Sequence, residues 1–320
     1  MILQSSNPQL QDHLWLSKMS TSTESTERAV TIVCDDDRPT VLPLHLKTYP
    51  HSQSAPLKPG KFPKAKINSC KRIMVQKGDD VVQVLVPKCK TPNYAYWLQK
   101  SKRGTHYGNL WRAVILVRGD GFKHGKQWDE WKITDVKCAV KEFEHEKLKN
   151  SKDSNENPYQ EIAAMQYIKN VVTEGKEEEK DVLERTRQNR QRVLDSRVML
   201  PLEAMKSTGT SKSIYLVMTY IEGGDLIDQM DRVEDYGFSE YDCRQYMSDI
   251  LKGVECLHSA GICHRDLSAE NVLVSKEGIA VIADFGMCLR IPYYRQTRCL
   301  IKNQHSCGKV SPFVYQVTLS

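Results

Sequence analysis

The chain predicts an α+β fold of two lobes: an antiparallel sheet with one helix, then a helical part. Three observations carry this. Strand-like apolar runs occupy residues 94–143, one sharply marked helix opens near residue 158, and a second long helix opens at Ser239 after the strands. Residues 1–92 read as a largely disordered N-terminal region and residues 93–320 as a folded domain. Its first lobe runs over 93–221 and its second over 222–320.

The N-terminal region owes its reading to composition. Ser20-Thr21-Ser22-Thr23-Glu24-Ser25-Thr26 is polar and of low complexity, and residues 56–66 mix prolines with lysines. Such stretches bury too little to offset their ordering entropy. Val30–Val33 and Val81–Val86 are apolar enough to be strands docking on the domain behind. The basic stretch Lys58–Arg72 is read as a solvated tail in preference to a nucleic-acid contact or a nuclear address.

From Tyr94 the elements follow in order. Tyr94–Lys100, Leu110–Val117 and Ile133–Phe143 are strand-like, with an insertion over residues 118–132 rich in Gly, Lys and Trp. Asn157 can cap a helix with Pro158 at its first position and Gln160 placed for a capping box; Ile162, Met165, Ile168 and Val172 give its apolar stripe. Residues 174–197 read as a charged insertion or helix extension without assigned function. Strands at Val198–Ala204 and Ile214–Tyr220 lead to Glu222-Gly223-Gly224-Asp225. The helix from Ser239, with Asp242 placed for a capping box, carries Cys243, Met247, Ile250, Val254 and Leu257 on one face and ends before Gly261. Val272–Val274 and Ile279–Ala283 make a hairpin around residues 275–278.

Phosphoryl transfer from a nucleotide needs a carboxylate at the acceptor hydroxyl and hard oxygen ligands for Mg²⁺. His264-Arg265-Asp266-Leu267-Ser268-Ala269-Glu270-Asn271, followed by Asp284-Phe285-Gly286, has this composition at the spacing of the protein-kinase signature. With Ala139-Val140-Lys141 and Glu161 in the first turn of a helix, four motifs stand in order. From about Tyr94 to Ser311 the chain resembles a eukaryotic protein kinase.

The resemblance implies a protein-kinase-like two-lobed fold and roles for individual residues. Lys141 grips the α/β-phosphates of ATP and pairs with Glu161; Asp266 is the base; Arg265 pairs with a phosphorylated activation segment; Asn271 and Asp284 hold Mg²⁺. Met218 stands behind the adenine, and the backbone of Thr219, Tyr220 and Ile221 meets its edge. Ala139 and Leu273 sandwich it, and Leu110 is a further nucleotide contact. Asp225 contacts ribose, and Met165 packs toward Phe285. Tyr293, Tyr294, Thr297, Ser306 and Ser311 are candidate phosphosites, open to an upstream kinase. A protein substrate is implied, with serine or threonine favoured over tyrosine because Glu270-Asn271 follows the serine/threonine form.

Three departures stand against the pattern. Arg103-Gly104-Thr105-His106-Tyr107-Gly108 has only Gly108 on an expected glycine, with Tyr107 at the aromatic tip, so weaker nucleotide affinity is expected. Ser268 stands where serine/threonine kinases usually carry lysine. After Ser311 the family pattern continues to Ala-Pro-Glu, whereas Pro312–Ser320 does not. Residues 312–320 are therefore expected to be a foreign tail, the second lobe to be incomplete, and turnover by this chain to be weak or absent. The alternative is an inactive kinase-like module that binds nucleotide or scaffolds a partner.

Composition excludes little else. Net charge +6 and pI ≈ 8.7 are only mildly basic, so nucleic acid is not an expected partner. Ten cysteines without metal-site spacing read as reduced, mostly buried thiols, which with no signal peptide or bilayer-length apolar run suggests a cytoplasmic or nuclear setting away from membranes.

Overall fold

The computed structural model describes residues 31–32, 40–41, 60–89, 92–105, 108–119, 131–150, 157–176, 180–209, 212–233 and 237–290. Residues 1–55 and 56–320 form separate units. In the first, β1 (Thr31–Ile32) pairs antiparallel with β2 (Thr40–Val41).

The second unit is built on seven strands: β3 (Asn68–Lys77), β4 (Asp80–Pro87), β5 (Tyr94–Thr105), β6 (Gly108–Arg118), β7 (Trp131–Phe143), β8 (Pro201–Ser207) and β9 (Ile214–Thr219). They lie in the order β3-β4-β5-β6-β7-β9-β8 and close into a barrel. Closure comes from a parallel pairing of β3 with β8, Asn68 opposite Met205 and Cys70 opposite Ser207. The expected purely antiparallel sheet is thus corrected to a mixed, closed one. The β3–β4 hairpin turns at Gly78, whose φ of 58° favours glycine. It lies upstream of the boundary expected at residue 92, so the folded sheet starts at Asn68. Only Cys70 and Val75 of β3 are fully buried, too few to advertise a strand.

The sheet's period of two sorts β7 cleanly. Cys138 and Val140 join Cys70, Leu85, Tyr96, Ile115 and Val217 in one core. Phe143 belongs to the main core with Ile162, Met165, Ile168, Leu216 and Phe285. Two polar clusters interrupt the first core. Glu142, 2% exposed, accepts from Arg72 Nη1 (2.6 Å) and Trp111 Nε1 (2.8 Å). Glu203 accepts from the hydroxyls of Tyr94 and Tyr96, with Arg185 at 3.7 Å. Beside that carboxylate, burial and the Glu203 charge push the Tyr94 hydroxyl up to about 12.

Three helices accompany this sheet, not one: α1 (His145–Asn150), α2 (Pro158–Val172) and α3 (Val182–Ser196). In α2, Asn157 caps Tyr159 N (3.0 Å) with Pro158 following, as the sequence suggests. Gln160 does not complete a capping box; its amide donates to Cys288 O (3.1 Å). The charged stretch 174–197 becomes α3, capped by Asp181 through Leu183 N and Glu184 N and closed by Arg197 at φ 58°. Its buried side is partly polar. The Asn189 amide donates to Leu200 O (3.3 Å) and Thr219 Oγ1 (3.1 Å). Asn189→Ala strands those acceptors in a dry site and is expected to cost about 1–3 kcal/mol. A lower urea midpoint at unchanged slope would register it.

The second lobe holds α4 (Leu226–Met230), α5 (Glu240–Ser259), β10 (Ile262–Cys263), β11 (Val272–Val274), β12 (Ala280–Ile282) and β13 (Leu289–Arg290). Ser239 Oγ accepts from Asp242 N (3.1 Å), and Gly261 follows the helix at φ 69°. Of the expected apolar face of α5 only Leu257 is buried; Met247 is exposed, as is Leu251. The helix meets α3 closely at Gly253, where a Cβ would come within 2.8 Å of Arg197 O. Arg197 Nε also bonds Asp249 Oδ1 (2.7 Å), joining the lobes.

Candidate active site

The β7 alternation that buries Val140 leaves Ala139 and Lys141 on the other face. Lys141 Nζ donates to Glu161 Oε1 at 2.8 Å and lies 3.4 Å from both oxygens of Asp284. Glu161 is 5% exposed and Asp284 is 44% exposed, so the deeper, shorter contact anchors the ammonium and the other faces the cleft. Met165, one turn beyond Glu161, sits in the same core as Phe285. Burial raises the Asp284 carboxyl, but the charge and hydrogen bond of Lys141 and the N–H of Gly286 together outweigh it, and the group titrates below its ordinary range. It is ionised at neutral pH.

The catalytic loop hangs between β10 and β11. A 3₁₀ turn over Ala269–Asn271 brings Asn271 back, and its Nδ2 donates to Asp266 O (2.7 Å) and Asp266 Oδ2 (3.0 Å). One carboxylate oxygen is thereby fixed. Arg265 (φ 67°) and Asp284 (φ 64°) both hold left-handed backbone, a conformation that costs a non-glycine residue about 1–3 kcal/mol and needs support. Arg265 Nε donates to Met287 O (2.7 Å), and Gly286 N donates to Asp284 Oδ1 (3.2 Å).

His264 ties the two loops together. It is 3% exposed; Nε2 bonds Ala283 O (3.1 Å), Nδ1 accepts Asp266 N (3.3 Å), and the ring meets Phe285 edge-on at 5.2 Å. Only the neutral ring protonated at Nε2 satisfies both bonds. Burial lowers its titration below the ordinary 6.5, the Ala283 bond and nearby carboxylates offsetting only part. Folding therefore favours the uncharged ring, and stability is complete above pH 6.5 and falls as the pH drops toward the folded value. Unfolding free energies at pH 7.5 and 5.5 should show this loss, at up to about 1.4 kcal/mol per pH unit for this group, and a smaller one in His264→Gln. His258, lowered by burial, adds in the same direction in both proteins.

The residues that the resemblance assigns to the nucleotide are placed by register. Leu110 lies opposite Lys141, and Ala139 opposite Met218. Leu273 borders the main core and bridges to Asp225. The carbonyl of Tyr220 is taken from behind by Arg190 Nη1 of α3 (3.1 Å). Asp225, expected at ribose, caps α4 through Asp228 N (2.7 Å). Gly108 is glycine for a reason of packing: a Cβ there would lie 2.0 Å from Glu142 O of β7. Tyr107 and the five candidate phosphosites lie outside the described residues, as does 312–320.

The donor set suits the implied groups. With Nδ2 committed to Asp266, Asn271 keeps its amide oxygen; with ionised Asp284 this gives two hard oxygen donors that would hold Mg²⁺, which would take its remaining ligands from phosphates and water. The Ser268 hydroxyl is buried without a hydrogen-bond partner among the described residues, a polar atom that a bound phosphate would satisfy. Among the described residues no cluster of three His, Cys, Asp or Glu forms an all-protein metal site, and no helix is long and apolar enough to cross a membrane.

Sequence reasoning missed Arg72, Gln166, Asn189 and Arg190. Each acts through contacts distant in the chain, and none lies in a motif; Arg190, for instance, also reaches Glu222 and Glu277.

Residues 131–308 match the family described as the protein kinase domain. Among curated relatives, the chain is 38% identical over 101 residues to serine/threonine-protein kinase CHK1 of Mycosarcoma maydis, covering 32% of this chain and 14% of that one. It is 45% identical over 80 residues to the putative protein kinase C delta type homolog of Drosophila melanogaster, 25% of this chain and 12% of that protein. It is 31% identical over 126 residues to the serine/threonine-protein kinase grp of the same fly, 39% and 24% of the two lengths. The chain thus spans under a quarter of each of these relatives. The match takes in Lys141, Glu161, Asp266, Asn271 and Asp284, and this chain belongs to the protein kinase domain family.

Proposed function

We propose that this chain transfers the γ-phosphoryl group of ATP, with Mg²⁺, to a serine or threonine hydroxyl of a protein substrate. The observation that carries the reading is Lys141 held between Glu161 and Asp284, the arrangement that couples nucleotide phosphates to the metal-bearing carboxylate. Asp266, its rotation fixed by Asn271, orients the acceptor hydroxyl. Thr219 and Ile221 present backbone to the adenine, Ala139 and Leu273 its flanks, and Asn271 with Asp284 the cation. The names of the relatives support serine and threonine as acceptors. A cytoplasmic or nuclear setting and an upstream kinase acting beyond Arg290 complete the proposal.

A second reading, a nucleotide-binding module with little turnover, is favoured by the phosphate-loop sequence, where Arg103 and Thr105 replace glycines and Gly108 is explained by β7. Thermal unfolding with Mg²⁺-ATP at about 100-fold over Kd should gain about 2.7 kcal/mol under both readings. Transfer of labelled γ-phosphate to serine or threonine peptides, lost in Asp266→Asn, is expected under the first only. Stabilisation without transfer would leave the second.

A further inference from the structure

Resting on that functional reading, we infer that residues 60–67 are a positioning strap: they hold α2, and with it Glu161, against the segment that carries Asp284. The strap runs across both. Lys66 N donates to Gln166 Oε1 (2.8 Å) and Gln166 Nε2 returns a bond to Lys66 O (2.7 Å), so one side chain of α2 fastens the strap's backbone twice. Phe62 meets Tyr167 edge-on at 5.9 Å, and the Arg290 guanidinium lies over the same ring at 4.6 Å. Tyr167 is therefore a shared surface for the strap and for β13.

The other end of the strap joins β13 through backbone. Gly60 N donates to Arg290 O (2.8 Å), and Arg290 Nη1 donates to Lys61 O (2.8 Å). Because Arg290 also pairs with Ile262 of β10, Gly60 adds a third row to the small ladder from which the catalytic loop departs. Gln160, next to Glu161, closes the circuit from α2 to Cys288 O. Phe62, Ala65 and Ile67 pack on the main core. Strap, α2 and β13 form one closed ring of contacts, and two of its members continue into Glu161 and Asp284. In such a ring α2 and β13 are each held from two sides, and releasing the strap takes one support from both at once.

Hydrogen exchange on the full chain carrying Phe62→Ala and Gln166→Ala tests this. Amides of residues 161–168 and of residues 285–290 should lose protection together, by about tenfold or more, while those of β9 hold. If the parent transfers phosphate, kcat should fall by about tenfold to a hundredfold with the KM for ATP within about twofold, since a displaced group costs the reaction more than it costs binding. Phe62→Tyr, with Gln166 intact, should retain parental values. Unchanged protection in either segment, or loss in one alone, would overturn the strap. Loss extending through β9 would mark global unfolding; the milder Gln166→Glu, which keeps the acceptor for Lys66 N and forfeits the donor, then decides by the same two segments. A parent without phosphate transfer would sink the kinase reading yet leave the exchange result to stand on its own.

Discussion

Lys141→Met is expected to lower kcat/KM for phosphate transfer by about 10²–10³, the size of effect seen when one preorganised charge donor is removed from a reacting centre. The reason lies in what Lys141 holds. Its ammonium is 2.8 Å from a nearly buried Glu161 and 3.4 Å from an exposed Asp284, so it fixes the distance between α2 and the Asp284 loop as well as supplying charge. Methionine keeps the stem and drops the charge, leaving Glu161 buried beside a thioether. Breaking a buried pair from one side costs roughly 3–5 kcal/mol, so the variant should also melt earlier. The double substitution Lys141→Met with Glu161→Gln separates the two effects. Stability should recover in part while transfer stays down. Recovery of both would mean that Glu161 alone sets the rate.

Arg72→Met should destabilise the barrel by about 3 kcal/mol, read as a drop in urea midpoint. Arg72 Nη1 contacts Glu142 Oε1 at 2.6 Å, and the same guanidinium reaches Gln83 and Tyr215. Burial works against this cation, but the bond with Tyr215 and the charge of Glu142 hold its proton more firmly than usual. Without it Glu142 retains Trp111 and Asn109 as donors and, among the described residues, no cation. Arg72→Met with Glu142→Leu removes both charges and should recover most of the loss. A double variant as unstable as the single would show that the packing of the arginine stem, not its charge, matters.

Local chemistry was legible in the sequence, and closure of the sheet was not. Pro158 after Asn157, and Ser239 with Asp242, announce helices because capping is decided within four residues. The Asp266, Asn271 and Asp284 motifs are equally local. By contrast β3 joins β8 through backbone bonds that any residue type can make, and its buried positions are two among ten. For α3, only a few apolar side chains are buried and the key contacts are polar, so periodicity gives little warning. Gln160 shows the limit of motif reading: the right residue stands at the capping position, yet a better acceptor, Cys288 O, is available across the fold.

The parallel junction of β3 with β8 also sets a timetable for synthesis. Asn68 and Met205 are neighbours in the barrel but roughly 140 residues apart in the chain, a separation that makes closure a late, slow event. At typical elongation rates of about 5–20 residues per second, β3 waits roughly seven to thirty seconds for β8 to be made. During that interval Cys70, Val75 and Leu85 have no barrel to enter and β3 offers an open hydrogen-bonding edge. Chaperone demand on the nascent chain should therefore peak before residue 207 is translated and relax once β8 arrives.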